Sequence, residues 1–271
     1  MKPTNWQLNL ASWIYLGLIY IFLMLPIFAL VLFSFEDSRF PKLPWTGWTL
    51  NWYSELFAND QLRLALTNSL IVSPIAATIA TMLGFLAAYA LDRFEFPGKK
   101  LLSVTLIVPI LIPPLILGVG FLGLLSRLNL QGQLYSIILT HVVILIPSAI
   151  ALIALRLQQM PKDLEAAAWN LGATPWQSLY RVVLPWSIPG IIGAWLLAFT
   201  FSFDEFVIAW FVSGFSPTLP VSIYTMMSSS LNPSLNAIGT IIFLASVIIL
   251  LGVELLLVPI FSNRQTKPVD S

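Results

Sequence analysis

The sequence predicts an all-α integral membrane protein, on the basis of its composition and of how its apolar residues are distributed. Of 271 residues, 58% are hydrophobic and 9% are charged, and the mean hydropathy is +0.88. A soluble domain has about 25% charged residues. The apolar residues cluster in runs of about 20 or more, long enough to cross the hydrocarbon core. These runs are expected to be helices, because lipid offers no partner to unpaired backbone groups.

Six apolar runs qualify as membrane spans. They cover residues 10–35, 66–91, 101–125, 134–157, 188–212 and 237–261. The first run exceeds the apolar region of a secretory signal peptide, which is about 7–15 residues, so we expect it to be retained as a span. The third run contains Pro109, Pro113 and Pro114. These prolines predict a kinked helix that either lines a pathway inside the bundle or packs closely against its neighbours.

The basic residues in the connecting loops predict the orientation of the chain. One side of the membrane would hold nine of the 13 lysines and arginines, namely Lys2, Arg93, Lys99, Lys100, Arg156, Lys162, Arg181, Arg264 and Lys267. The other side would hold Arg39, Lys42, Arg63 and Arg127. The first side is therefore expected to be cytoplasmic, together with both termini and the tail 263–271.

The composition argues against several kinds of functional site. The chain has no cysteine and a single histidine, His141, so we expect no metal site and no catalytic residues. His141 is more often an interhelical hydrogen-bond partner than a functional group. An intramembrane hydrolase would need a nucleophile beside a base, and the sequence offers no evident Ser–His pairing. The net charge of +1 argues against nucleic-acid binding.

Two adjacent acids, Asp204 and Glu205, lie within the fifth apolar run. At a rise of about 1.5 Å per residue, Asp204 lies about 26 Å along the helix from Ser187. Both acids would thus be inside the membrane, nearer its outer face. Ionised side chains within a span are costly and mark functional sites. Their side chains would project about 100° apart on a helix, which leaves open whether one or both face a pathway.

The longest polar segment of the second half is the loop 161–185, between the fourth and fifth runs. Its first part, Lys162 to Leu171, is rich in alanine and predicts a helix that Gly172 ends as a left-handed cap. Thr174 and Pro175 then predict an N-cap and a first helical position. A second surface helix is expected to end at Leu184-Pro185.

The residues Glu165-Ala-Ala-Ala-Trp-Asn-Leu-Gly172, followed by Val182-Val-Leu184-Pro185, resemble the "EAA" loop of permease subunits of ATP-binding-cassette (ABC) importers. The resemblance extends over about residues 68–261. It implies a type-1 importer permease fold, with an N-terminal span and outer loop at 1–65 and a five-helix core at 66–262. We therefore name residues 161–185 the coupling loop.

In that family the first helix of the loop docks on a cytoplasmic ATPase subunit. The resemblance assigns this coupling to six positions, which are Glu165, Ala166, Ala167, Gly172, Leu184 and Pro185. The chain has no phosphate-binding loop, so ATP would be bound by a partner subunit and no cofactor is expected here. Counted back from Gly172, the family's glutamate falls at position 166, where this chain has alanine. An ion pair of that glutamate would be lost or made by Glu165.

The segment Ser202-Phe-Asp-Glu-Phe206 is similar to the fifth span of spermidine/putrescine permeases. This similarity implies a polyamine cargo, with Asp204 and Glu205 offsetting ammonium charge and Phe201 and Trp210 offering aromatic faces. It also implies a second, similar permease chain and a separate solute-binding protein on the outer side. The alternatives are the same importer type for an amino-acid-like, opine-like or metal-bearing solute, and a remote one, an intramembrane enzyme.

Overall fold

The computed structural model describes residues 5–38, 44–161, 163–229 and 234–262. Within these ranges the chain is helical apart from its connections and one antiparallel bridge between Glu36 and Trp48, which confirms the all-α class. The helices are α1 (Asn5–Phe33), α2 (Asn51–Ala58), α3 (Asp60–Arg93), α4 (Lys99–Leu111), α5 (Pro114–Arg127), α6 (Leu134–Gln158), α7 (Asp163–Asn170), α8 (Pro175–Ser178), α9 (Leu184–Asp204), α10 (Val207–Val212), α11 (Leu219–Ser229) and α12 (Ser234–Ser262).

The count of membrane-spanning helices differs from the six predicted. Among the described residues, four continuous stretches are long and apolar enough to span, at 10–33, 60–93, 134–158 and 175–204. The pair α4 and α5 makes a fifth if both helices belong to one broken span. Helix α12 occupies the sixth predicted run with 29 residues, Ser234–Ser262.

The third predicted run is a broken pair of helices rather than one kinked helix. Helices α4 and α5 are bent by 108° across Ile112 and Pro113. Ile112 is extended, with ψ 129°, because the proline that follows it disfavours the helical conformation. Pro114 then begins α5, where a missing N–H is tolerated. The kink predicted at these prolines is thus a complete break, since two successive prolines remove two donors at the same turn.

The first half of the coupling loop has the predicted form. Helix α7 ends at Gly172, whose φ of +83° is the left-handed conformation that glycine adopts without strain. The N–H of Ala173 donates to the carbonyl of Ala168, which closes the cap. Thr174 caps α8 in a reciprocal capping box with Gln177, with distances of 2.9 and 3.3 Å.

The second half of the coupling loop differs from the prediction. Helix α8 does not end at Pro185 but continues through the π-helical segment Leu179–Val183 into α9, so that 175–204 is one helical stretch. The N–H of Leu184 donates to the carbonyl of Leu179, an i→i+5 bond. Within this continuous stretch Pro185 lacks the N–H that would bond to the carbonyl of Arg181, and the π-helical segment lies directly before it.

The structure forms two compact units, one of residues 61–224 and one of the described parts of 1–60 and 225–271. In the larger unit, α6 packs along α9 and α5 along α10. Small residues of α3, among them Ala76, Ala80 and Ala88, are fully buried in its core. Small side chains let helix backbones approach closely, which is how helices associate in lipid.

Gly84 of α3 marks a close approach of this kind and gives a stability prediction. A Cβ at Gly84 would lie 2.7 Å from the Cβ of Ala149 on α6, whereas one at Gly123 of α5 would meet nothing within 4 Å. We expect Gly84→Val to cost about 2 kcal/mol and to lower the melting temperature by about 4–8 °C. Thermal unfolding in detergent measures this shift. Gly123→Val is the control, and an equal shift in both variants would contradict the packing argument.

In the smaller unit, α1 and α2 both pack against α12. After α1, a short backbone ladder pairs the segment at Phe35 and Asp37 with Gly47 and Thr49. The indole N–H of Trp52 donates to the carbonyl of Glu36 at 2.7 Å. Trp52 therefore helps to hold the turn of this outer loop in place.

Candidate functional site

The fifth predicted run is interrupted at the two acids. Helix α9 ends at Asp204, Glu205 is extended with φ −68° and ψ 118°, and α10 begins at Val207. The Glu205 carboxylate accepts hydrogen bonds from the N–H groups of Ile208 and Ala209 at 3.0 Å. It thereby satisfies two donors that the first turn of a helix leaves open. The expectation of one helix over 188–212 was wrong, and Glu205 stabilises the break.

His141 of α6 joins this break to α9. Its Nδ1 lies 2.8 Å from the hydroxyl of Ser202, and its Nε2 lies 3.6 Å from the carboxylate of Glu205. The predicted role as an interhelical hydrogen-bond partner is confirmed. The pairing with Ser202 escaped the sequence because 61 residues separate the two positions. His141 is fully buried and Ser202 nearly so, which leaves no room for a substrate beside the serine.

Asp204 differs from Glu205 in its exposure and in its contacts. Its side chain is exposed, and none of the hydrogen bonds or ion pairs among the described residues involves it. Glu205 is mostly buried, with 13% of its side chain exposed, and its oxygens are used by the helix end and face His141. Asp204 is therefore the acid whose charge is available to a cation.

A cavity of about 240 Å³ lies beside the break. Phe201 lines it from α9, Glu205 lines it from the break itself, and Pro109 and Pro114 line it from the broken third run. Asp204 and Trp210 are not among its lining residues. Pro109 and Pro114 thus face the cavity, while Gly118 of α5 packs against the ring of Phe211. One part of the third run therefore borders a cavity and another packs against α10, and the lining of a transport pathway stays a prediction.

Trp210 belongs to an aromatic cluster on the far side of the break. Its ring lies 5.1 Å from that of Tyr224 and 5.9 Å from that of Phe206, and these last two are 4.6 Å apart. About half of the Trp210 surface remains exposed. Of the four residues predicted for a substrate pathway, Phe201 and Glu205 share the cavity, whereas Asp204 and Trp210 lie outside it.

The predicted coupling residues divide into buried and exposed groups. Glu165 is 5% exposed and pairs with Arg93 of α3, at 2.6 Å between Oε2 and Nε. Ala166 and Ala167 are exposed, as is Gly172, while Leu184 is half-buried and Pro185 exposed. The glutamate therefore points into the protein, and alanine occupies the next, exposed position.

The coupling loop presents large apolar side chains to its surroundings. Leu171 is 89% exposed, and the rings of Trp176 and Tyr180 stack at 6.2 Å while remaining largely exposed. Trp169 and Leu164 add to this surface. Exposed apolar residues grouped in this way are typical of a protein interface. Sequence reasoning could not show that Glu165 is turned away from this apolar surface.

The contrast between the two acids gives a prediction about stability. Glu205→Ala removes a charged cap and leaves two helix-end donors unsatisfied, a loss of about 1–3 kcal/mol. Asp204→Ala removes no contact. We expect thermal unfolding in detergent to show a lower melting temperature for Glu205→Ala and an unchanged one for Asp204→Ala. Equal melting temperatures would mean that the cap contributes nothing.

A membrane-embedded bundle with a charged helix break and a surface loop of two short helices has the organisation of a transport permease. The chain belongs to the family described as binding-protein-dependent transport system inner membrane component, whose profile matches residues 80–262. This family is a transport component and not an enzyme.

Curated relatives cover most of the chain. It is 34% identical over 239 residues to the spermidine/putrescine transport system permease protein PotC of Escherichia coli K12, covering 88% of this chain and 90% of PotC. It is 36% identical over 229 residues to the putrescine transport system permease protein PotI of the same strain, covering 82% and 81%. It is 32% identical over 206 residues to the trehalose transport system permease protein SugB of Mycobacterium tuberculosis, covering 75% of each.

Solved structures match the fold. A bacterial ABC transporter that imports the acidic polysaccharide alginate superposes with a TM-score of 0.71 at 14% identity, covering 92% of this chain and 95% of that chain. A second structure of a bacterial alginate transporter, in complex with a pentasaccharide-bound periplasmic protein, gives 0.70 at 16% identity, covering 92% and 94%. The ABC importer permease fold is thereby confirmed.

Proposed function

We propose that this chain is a permease subunit of an ATP-driven importer that carries polyamines, such as spermidine and putrescine, across the bacterial cytoplasmic membrane. The observation that supports this cargo most directly is Asp204. Its exposed carboxylate has no hydrogen-bond or ion-pair partner among the described residues and stands at a helix break within an apolar run. An ionised side chain inside a membrane span is costly and by default marks a functional site.

The aromatic residues near the break suit the same cargo. A polyamine is an apolar chain with several ammonium groups, and such groups bind carboxylates and the faces of aromatic rings. Asp204 would offer the charge, while Phe201 and Trp210 offer exposed ring surface. Glu205 would act indirectly, by capping the start of α10 and so fixing the break beside Asp204.

A complete importer needs further subunits besides this permease. Cytoplasmic ATPase subunits would bind the coupling loop, since its exposed apolar side chains have the chemistry of an interface. A second permease, related to this chain, would complete the pathway. A solute-binding protein would deliver cargo from the outer side, as the periplasmic protein in the alginate transporter complex suggests. Both termini would then face the cytoplasm.

The trehalose permease relative supports one alternative, the same importer type with a different solute. That solute could be amino-acid-like, opine-like, metal-bearing or an uncharged sugar. An anionic cargo is disfavoured, because the Asp204 carboxylate would repel it.

Purification of the complex from its native membrane tests the proposal. The co-purifying chains should include an ATPase, a second permease and a solute-binding protein. Reconstituted vesicles should take up labelled spermidine and putrescine only with ATP, and excess trehalose should not compete. ATP-dependent uptake of trehalose alone would support an importer but exclude a polyamine as its cargo. A complex without an ATPase would exclude both the ATP-driven importer and the polyamine cargo.

A further inference from the structure

A buried polar cluster connects the coupling loop to the end of α3. Arg93, the last residue of α3, pairs with Glu165 of α7 at 2.6 Å. The hydroxyl of Tyr89 donates to the other oxygen of Glu165 at 3.3 Å. Both oxygens of the carboxylate are therefore held by α3, one turn apart on the same helix. No other charged group among the described residues pairs with Glu165.

The same arginine also reaches the protein core. Its Nη2 donates to the sulfur of Met160 at 3.5 Å, and its Nη1 lies 3.3 Å from Asp92. Met160 is part of a buried apolar cluster with Ile153, Leu157 and residues of α3, the π-helical segment and α9. Arg93 thus joins the loop, α3 and the core at one point.

The burial of this ion pair separates it from ordinary surface pairs. The side chains of Arg93 and Glu165 are 19% and 6% exposed, so solvent screens their attraction little. Lys99 and Glu95 form an i,i+4 pair on the neighbouring turn, but Glu95 is 90% exposed. An exposed pair of that kind contributes little to structure.

We propose that the Arg93–Glu165 ion pair is the connection through which movement of the coupling loop reaches α3. This inference rests on the proposed function, since an ATPase must move the coupling loop. In this chain Glu165 is a positioning residue that ties α7 to α3, and docking is left to the exposed apolar side chains around it. Tyr89 supports the carboxylate from the preceding turn. Breaking the pair would leave the docking of the ATPase and its hydrolysis of ATP intact but would lower import.

Single substitutions in the reconstituted complex test this separation. Glu165→Gln and Arg93→Gln should still co-purify with the ATPase and hydrolyse ATP, while ATP-driven uptake falls about tenfold, within the range of couplings between sites. Glu95→Gln is the matched control on the exposed pair and should import as the unsubstituted protein does. Uptake unchanged in Glu165→Gln would overturn the proposal, and so would loss of the ATPase, which would make Glu165 a docking residue.

Restoring the link between positions 93 and 165 distinguishes a loss of coupling from a general loss of function. The exchanged pair, Arg93→Glu with Glu165→Arg, restores the attraction and should recover a substantial part of the uptake. Since the chain has no cysteine, Arg93→Cys with Glu165→Cys also gives a unique thiol pair. A short reversible thiol cross-linker should raise uptake by this variant, and reduction should lower it again. If neither the exchange nor the cross-link restores uptake, the ion pair is not the connection. A complex that lacks an ATPase altogether would instead refute the proposed function.

Discussion

Replacement of Asp204 by asparagine is expected to lower spermidine uptake about tenfold at subsaturating concentration. One ammonium–carboxylate contact at 4 Å is worth about 4 kcal/mol at an effective dielectric of 20, before desolvation is subtracted. A net loss of about 1.4 kcal/mol is enough for a tenfold change. The measurement is the initial rate of ATP-driven uptake of labelled spermidine into vesicles, at several concentrations. Because Asp204 makes no hydrogen bond or ion pair among the described residues, the melting temperature should not change.

One further variant controls this result. Asp204→Glu keeps the charge and should retain most of the uptake. Full uptake by the asparagine variant would remove Asp204 from the substrate path, and with it the main support for a cationic cargo.

The second large effect is expected at Leu171, the most exposed apolar side chain of the coupling loop. Burying a leucine in an interface contributes about 1.5–3 kcal/mol, and an aspartate in its place would bring a charge that has to be desolvated. We therefore expect Leu171→Asp to weaken ATPase binding about 100-fold or more, since about 3 kcal/mol corresponds to that factor. Co-purification of the ATPase with the tagged permease and binding titrations in detergent measure the loss.

The neighbouring residue provides the control. Asn170→Asp adds the same charge at an exposed position of α7 without removing an apolar group. It should bind the ATPase nearly as well as the unsubstituted chain. If both variants lose the ATPase equally, the effect comes from charge in the loop and not from the apolar contact. If Leu171→Asp binds normally, the docking surface lies elsewhere.

Sequence reasoning was most successful where local chemistry determines the structure. Gly172 ends α7 in the left-handed conformation, and Thr174 and Pro175 start α8, because caps depend on a few adjacent residues. The long apolar runs became α1, α3 and α6, with ends within a few residues of prediction except at the start of α1 and α3. Apolar length alone fixes such helices, since the bilayer permits little else.

Hydropathy could not locate the places where helices break. The runs at 101–125 and 188–212 are apolar throughout, yet each contains a change of direction or an extended residue. At Glu205 the break depends on a carboxylate that turns back to the next helix and on His141, which is distant in the chain. The inward orientation of Glu165 likewise depends on Arg93, 72 residues earlier. Pairings over such separations leave no trace in local periodicity.

The unbroken passage from α8 into α9 has a mechanical consequence. Residues 175–204 form a single rod of 30 residues, about 45 Å long, with the loop's aromatic surface at one end and Asp204 at the other. A twist or tilt of the coupling loop would therefore be transmitted along the rod and would displace Asp204 at its other end. The wider π-helical turn at Leu179–Val183 is the place where such a rod would flex first.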